Sequence, residues 1–227
     1  MNHILDRPVW NALASRHASL AEGGPLARRY PPAIVPFGAA QDGSEESLAA
    51  LAALLVPGDT MMMADATPLA VPPGLAVQAT ATVVQMILTG PLPTLADDRI
   101  ARLGETDAEE MLALATLCRP GPFTLRAQAL GEFHGVRIDG RLAAMAGTRM
   151  RQEAFAEISG VSTHPEFRGR GLARALSVFM ARRFLADGDT PYLHAYATNA
   201  AAIGLYESIG FEIRTTLNVA VVEREAA

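Results

Sequence analysis

The residues with the clearest chemical content run from 161 to 174: Val161-Ser162-Thr163-His164-Pro165-Glu166-Phe167-Arg168-Gly169-Arg170-Gly171-Leu172-Ala173-Arg174. An extended segment enters a Gly/Arg turn there and leaves it as a helix, with Leu172, Ala175, Leu176 and Phe179 at helical spacing. A corner of this kind is an anion site. The first N–H groups of a helix have no intrahelical acceptor, the macrodipole adds partial positive charge, and glycines at 169 and 171 let a diphosphate approach the main chain closely. From Phe167 to Ala186 the chain carries five arginines and no carboxylate. An ordinary strand-to-helix corner with a solvated basic face has the same composition, so spacing alone leaves both readings open.

Composition removes several other chemistries. The chain has 227 residues, 19 basic and 24 acidic, for a formal net charge of −5, and every basic residue is arginine. Without lysine there is no Schiff base and no Walker-type loop to reach a nucleotide's phosphates. Cys118 is the single cysteine, which rules out an intrachain disulfide or a cysteine zinc cluster and suggests a small core residue in a reducing compartment. His3, His17, His134, His164 and His194 are scattered without metal-ligand spacing, so no metal is expected. The start lacks a basic segment followed by an apolar core, and no run of 18 apolar residues occurs. A soluble, cytoplasmic protein is expected, monomeric or homodimeric, with neither membrane nor nucleic acid as partner.

The elements that must position the corner divide at the prolines. Eleven of the 15 prolines precede residue 95, which sets an N-terminal α/β region, 1–95, apart from a second unit, 96–227. In the first, Asp6 is read as capping a helix to about Glu22, Ser44 as opening another, and Ala33–Val35, Thr60–Met63 and Ala76–Leu88 as strands. In the second, Thr106 and Glu109 form a capping box for a helix through Leu117. Phe133–Ile138 and Leu142–Met150 make a hairpin about Asp139-Gly140, and Ala154–Thr163 is the next strand. The helix from Gly169 to Ala186, a strand Pro191–Ala197, a short helix Asn199–Ile209 and a terminal extension Phe211–Val222 complete an α/β order.

At Arg168-x-x-Gly171-x-Ala173 the sequence resembles the acyl-CoA loop of the GNAT acetyltransferase superfamily, Gln/Arg-x-x-Gly-x-Gly/Ala. Asn199-x-x-Ala202-x-x-Leu205-Tyr206-x-x-x-Gly210-Phe211 resembles a second segment of that family, in the same order and at the matching separation. The likeness covers residues 97 to 222. It implies an α/β (α+β) GNAT fold: a central mixed, mostly antiparallel sheet, flanked by helices, whose fourth and fifth strands splay apart. The cosubstrate it implies is acetyl-CoA, with the pantetheine arm beside Val161, Ser162 and Thr163. The diphosphate would lie on the amides of Gly169, Arg170, Gly171, Leu172, Ala173 and Arg174, with Arg168, Arg170 and Arg174 adding charge and Asn199 touching the arm. Plain N-capping is the other reading of Asn199 and is compatible with that contact.

The same likeness implies that Tyr206 is the general acid for the departing thiolate and Glu157 the base for the amine, with the Val161 amide on the oxyanion. Against this, Tyr206 also fits a buried helical stripe with Ala202, Leu205 and Ile209, and Glu157 fits a solvent-side strand position. Strand alternation puts Glu157, Ser159 and Val161 on one face; His134, Tyr196 and Glu132 are weaker bases, and His164 reads as a turn residue. The expected activity is N-acetyl transfer to a primary amine of a small molecule, amino acid or peptide by direct attack; the alternative is a silent acyl-CoA sensor or partner subunit. A long region ahead of one such unit resembles the glycine N-acyltransferase-like branch, where that half is a degenerate copy of the fold and the acceptor is a free amino acid. Arginines in the acceptor pocket would suit a carboxylate, with Arg126, Arg137 and Arg149 as candidates, and an acidic lining would suit a polyamine.

Overall fold

Period-two and period-3.6 apolar patterns alternate along the chain, and each becomes an element in the computed structural model, which describes residues 3–95 and 97–224. In chain order these are α1 (Pro8–Ala14), β1 (Glu22–Gly23), β2 (Ala27–Arg29), β3 (Gly38–Ala40), α2 (Glu45–Ala53), β4 (Thr60–Asp65), β5 (Leu75–Leu88) and β6 (Ile100–Leu103). There follow α3 (Ala108–Cys118), β7 (Phe133–Ile138), β8 (Arg141–Gln152), β9 (Phe155–Thr163), α4 (Leu172–Ala186), β10 (Thr190–Tyr196), α5 (Ala200–Glu207) and β11 (Phe211–Arg224).

One eight-stranded sheet runs β4-β11-β5-β10-β9-β8-β7-β6, and β1-β2-β3 form a small separate sheet. Every pair in the large sheet is antiparallel except β9 with β10. The β7–β8 hairpin turns on Asp139 and Gly140, whose φ values of 51° and 78° are the left-handed pair such a turn requires. Helices α3 and α4 cover opposite faces. Neighbouring side chains of β8 divide between them: Ala144 and Ala146 join the cluster around Leu172, Leu176 and Phe184, and Met145 joins the cluster around Met111 and Leu114.

The proline run near residue 92 is not a break in the sheet. Strands β4 and β5, from the N-terminal region, pair with β11 and β10. The helices of that region pack on the same body: α1 shares a cluster with Phe37 and Met150, and α2 shares one with Met63 and Val222.

Two expected caps differ. Asp6 does not cap a long helix. Its carboxylate accepts the His3 N–H at 2.8 Å in a short turn and meets Arg214 at 2.6 Å, and α1 ends at Ala14. Ahead of α3, Asp107 accepts the Gly104 N–H at 2.7 Å, in place of a Thr106–Glu109 box.

Parallel pairing between β9 and β10 covers Phe155–Ile158 against Thr190–Leu193 and then stops. Beyond Ile158 the strands part, as the family resemblance implies. Gly160 and Val161 have no ladder partner on β8 either, and Gly160 adopts φ 65°, so β9 bulges where it leaves β10. The Phe133 ring fixes the bulge from behind. A β-carbon on Gly147 would stand 2.3 Å from that ring, and one on Gly160 would stand 2.9 Å from it. Gly147→Ala therefore forces a rigid aromatic ring to shift and should lower stability by about 1–3 kcal/mol. Denaturant unfolding at unchanged m checks this, and an unchanged midpoint contradicts it.

Candidate active site

The parted strands open into a cavity of about 470 Å³. Its lining comes from β9 (Ile158–Val161), from β10 and the turn after it (His194, Ala195, Tyr196, Asn199), from α5 (Ala202, Tyr206), and from the loop after α3 (Cys118–Pro122). The far wall is apolar and belongs partly to the N-terminal region: Phe37, Met62, Ala64 and residues 79–83 of β5, with Leu217, Val219 and Val221 of β11.

At one mouth, β9 runs through a short turn, Pro165–Phe167, into α4. His164 caps that turn, its Nδ1 accepting the Glu166 N–H at 3.3 Å, which fits its reading as a turn residue. Gly169 and Gly171 have φ of 76° and 74°, and a β-carbon at either would meet open space. Among the described residues, no acceptor takes the N–H groups from Gly169 to Arg174. Arg170 lies 5.3 Å over the Phe167 ring, and Arg174 reaches the Ser208 carbonyl at 3.4 Å. The corner therefore presents a run of unpaired donors with the glycine surface that close approach of an anion requires.

Tyr206 sits on α5 at 7% exposure, lines the cavity and packs its ring 6.2 Å from Phe211. Among the described residues nothing bonds its hydroxyl. Burial pushes the phenol up to about 12, so it stays protonated and can donate. Asn199 caps α5, its side chain accepting the Ala202 N–H at 3.1 Å, and also lines the cavity. Both readings of this residue fit the geometry.

Glu157 is placed differently from the expectation. It is fully buried beneath the cavity and does not line it. Its Oε2 accepts Arg149 Nε at 3.0 Å, and its Oε1 accepts both Arg149 Nη2 at 2.5 Å and His194 Nδ1 at 2.7 Å. Burial alone would raise this carboxyl, but the two cationic partners and their hydrogen bonds outweigh it and bring it from the ordinary 4.5 down to about 2. A carboxylate so stabilised is a poor proton acceptor. The bulge at Gly160 breaks the alternation that was to carry Glu157 to the face of Ser159 and Val161.

The tautomer of His194 follows from its neighbours. Arg214 Nε can only donate, so Gln85 Oε1 accepts it at 2.6 Å; Gln85 Nε2 then donates to the Leu5 carbonyl and to His194 Nε2, both at 2.9 Å. The imidazole hydrogen is therefore on Nδ1 and goes to Glu157. Both ring nitrogens are engaged, although the ring lines the cavity.

The other sequence candidates lie elsewhere. His134 packs against Phe179 with ring centroids 4.8 Å apart, Glu132 pairs with Arg183 at 2.8 Å, and Tyr196 lines the cavity rim at 47% exposure. Of the three arginines read as carboxylate clamps, Arg149 alone lines the cavity, and Arg137 pairs with Asp107 and Glu110. Sequence reading missed His194, Arg119 and the lining role of Cys118, whose Sγ donates to the Thr163 carbonyl at 3.3 Å. Among the described residues no cluster of three metal-ligating side chains occurs, and no helix is long and apolar enough to cross a membrane.

Comparison with known proteins decides the family. A crystal structure of a putative acetyltransferase from the GNAT family of Novosphingobium aromaticivorans is 46% identical, with TM-score 0.92, over 99% of this chain and 100% of that one. The chain belongs to the GNAT family. The model of FR47-like proteins matches residues 134–219, which span both motifs. Mycothiol acetyltransferase of Nocardiopsis dassonvillei is 35% identical over 96 residues, and the [ribosomal protein bS18]-alanine N-acetyltransferase of Salmonella typhimurium is 38% identical over 78. These matches cover 38% and 34% of this chain, and the chain spans 29% and 52% of those two proteins.

The Glu157 assignment has a direct consequence for acid stability. A carboxyl lowered from 4.5 to about 2 on folding contributes stability in full above pH 4.5 and loses it as the pH falls toward 2. The contribution is on the order of 3 kcal/mol. Glu157→Gln should cost a comparable amount at pH 7, because Arg149 is left buried without its counter-ion, and should flatten the stability curve between pH 5 and pH 2. Denaturant titrations across that range measure it; an unchanged slope in the variant would contradict the buried pair.

Proposed function

We propose that the chain is an acetyl-CoA-dependent N-acetyltransferase that moves the acetyl group to a primary amine by direct attack. The observation that carries the reading is the row of unpartnered amides from Gly169 to Arg174 at the mouth of the cavity between the parted strands. Those amides fit the diphosphate, with Arg168, Arg170 and Arg174 adding charge. Val161, Ser162 and Thr163 on the free edge of β9 fit the amides of the pantetheine arm, with Asn199 facing them from the start of α5. The relatives named above support transfer to an amine: one of them acts on the alanine of a ribosomal protein.

The chemistry divides among few groups. The amine attacks the thioester carbonyl, and the Val161 N–H, on the bulge, is the donor for the developing oxyanion. Tyr206 bonds the leaving sulfur. A thiol titrates near ~8.5 and this phenol near 12, so complete proton transfer from the phenol alone is uphill by about 5 kcal/mol. The hydroxyl therefore acts as a donor that hands its proton over as the nitrogen of the collapsing adduct releases its own. No net proton is consumed.

Glu157 does not serve as the base in this proposal. It anchors Arg149 and His194, and the amine loses its proton to solvent through water in the cavity. The rate, kcat/KM, should then rise with pH through neutrality, tracking the free-base fraction of the acceptor. A break near pH 6–7 that stays fixed when amines of different pKa are compared would point to an enzyme base instead.

Two substitutions test the rest. Tyr206→Phe should lower kcat about 10²-fold with CoA affinity unchanged. Gly171→Val should raise the Kd for CoA at least about tenfold, since the residue sits at φ 74° and its side chain would stand in the space facing the amides. Thiol release against an amine panel and calorimetry with CoA are the measurements. CoA binding without turnover on any amine would favour the sensor reading, and no CoA binding would remove both.

A further inference from the structure

The charged side chains that line the cavity are Arg119 and Arg149, and among the described residues no aspartate or glutamate lines it. Each arginine has capacity to spare. Arg149 directs Nε and Nη2 at Glu157, but its Nη1 has no acceptor among the described residues. That nitrogen faces the loop after α3, lying 3.5 Å from where a β-carbon on Gly121 would stand. The guanidinium is stacked 5.3 Å over the Phe37 ring, so its plane is fixed from below and its Nη1 edge is aimed from the side.

Arg119 begins the same loop. It has φ 52°, the left-handed position after a helix that glycine or asparagine occupies without strain. An arginine there forgoes that ease, and among the described residues its guanidinium makes no ion pair or hydrogen bond. Two arginines with unspent donors thus converge on the segment Pro120–Pro122. The opposing wall, with Met62, Val219 and Val221, is apolar.

We propose that the acceptor is an amine that also carries a carboxylate and an apolar body, an amino acid or a close analogue, with Arg149 Nη1 and Arg119 holding the carboxylate. This deepens the acyl-transfer reading and rests on it. A carboxylate completes the hydrogen bonding that Glu157 leaves open on Arg149 and neutralises Arg119. A polyamine or other polycation would meet two like charges with no carboxylate to receive it.

The test compares leucine and phenylalanine with leucinamide and phenylalaninamide, and with putrescine, each at equal concentration of free-base amine. The acids should exceed their amides in kcat/KM by about tenfold or more, mostly through KM, and putrescine should be slower still. Arg119→Gln should shrink the acid-to-amide ratio about tenfold while CoA affinity stays the same. Amides or putrescine turned over as well as the acids would overturn the proposal and leave the acetyltransferase reading standing. Weaker CoA binding in Arg119→Gln, with the ratio intact, would overturn it too, by assigning Arg119 to the cosubstrate's phosphates. If no amine is acetylated, the acetyltransferase reading itself fails. Calorimetry of N-acetyl-leucine against N-acetyl-leucinamide on the CoA-saturated protein then decides the carboxylate preference by itself: tighter binding of the acid supports it, and equal binding overturns it.

Discussion

A single buried carboxylate stands where two parallel strands separate, and the architecture of the site follows from how it is satisfied. Glu157 is opposite Tyr192, one pair before the β9–β10 ladder ends. From there it reaches back to Arg149 on β8 and across to His194 on β10. A carboxylate in that position without partners would be untenable. With both partners it ties three strands together at the point where backbone pairing stops, so the strands can diverge without the sheet coming apart. The tie continues through Gln85 on β5 and Arg214 on β11 to Asp6. The floor of the cavity and the N-terminal segment are therefore joined by one chain of hydrogen bonds, in which each member's donors are set by its neighbour.

That chain explains why the residues before 95 belong to the site. Strand β5 is inserted between β10 and β11, and its Gln85 is the hinge of the polar network, while residues 79–83 face the cavity. Without β5, His194 would lose the donor to its Nε2 and β10 would lose its second neighbour. The proline-rich composition of the first half reflects short elements and surface loops, and proline spacing carries no information about which strands pair across the chain.

Local signals were legible in the sequence and long-range polar pairing was not. The Asp139-Gly140 hairpin, the Gly/Arg corner, the apolar stripe of α4 and the Asn199 cap each depend on residues within one or two turns of each other, and the structure has all four. The partners of Glu157 lie 8 and 37 residues away on different strands. Alternation assigned Glu157 to the cavity face, but the bulge at Gly160 shifts everything after it by one residue, and a lone glycine in a strand does not announce on which side the shift falls. Arg119 was hidden for a different reason. The residue after a helix end reads as a plain turn, and only its left-handed backbone and its place at the cavity mark it.

The electrostatics of the cavity bear on how an amine could be activated where no free base faces it. An ammonium ion entering beside Arg119 and Arg149 would be disfavoured by both charges, which lowers its pKa and raises the share of the nucleophilic free base. Glu157 cancels much of the charge of Arg149, but it does so from beneath, so the edge of the guanidinium facing the ligand remains the electropositive one. A carboxylate on the same acceptor would take that edge and orient the molecule, and the amine, held away from it toward the parted strands, would keep the benefit of Arg119. Recognition and activation then draw on the same pair of side chains. That arrangement allows the sole glutamate near the reaction to be spent on holding strands together instead of moving protons.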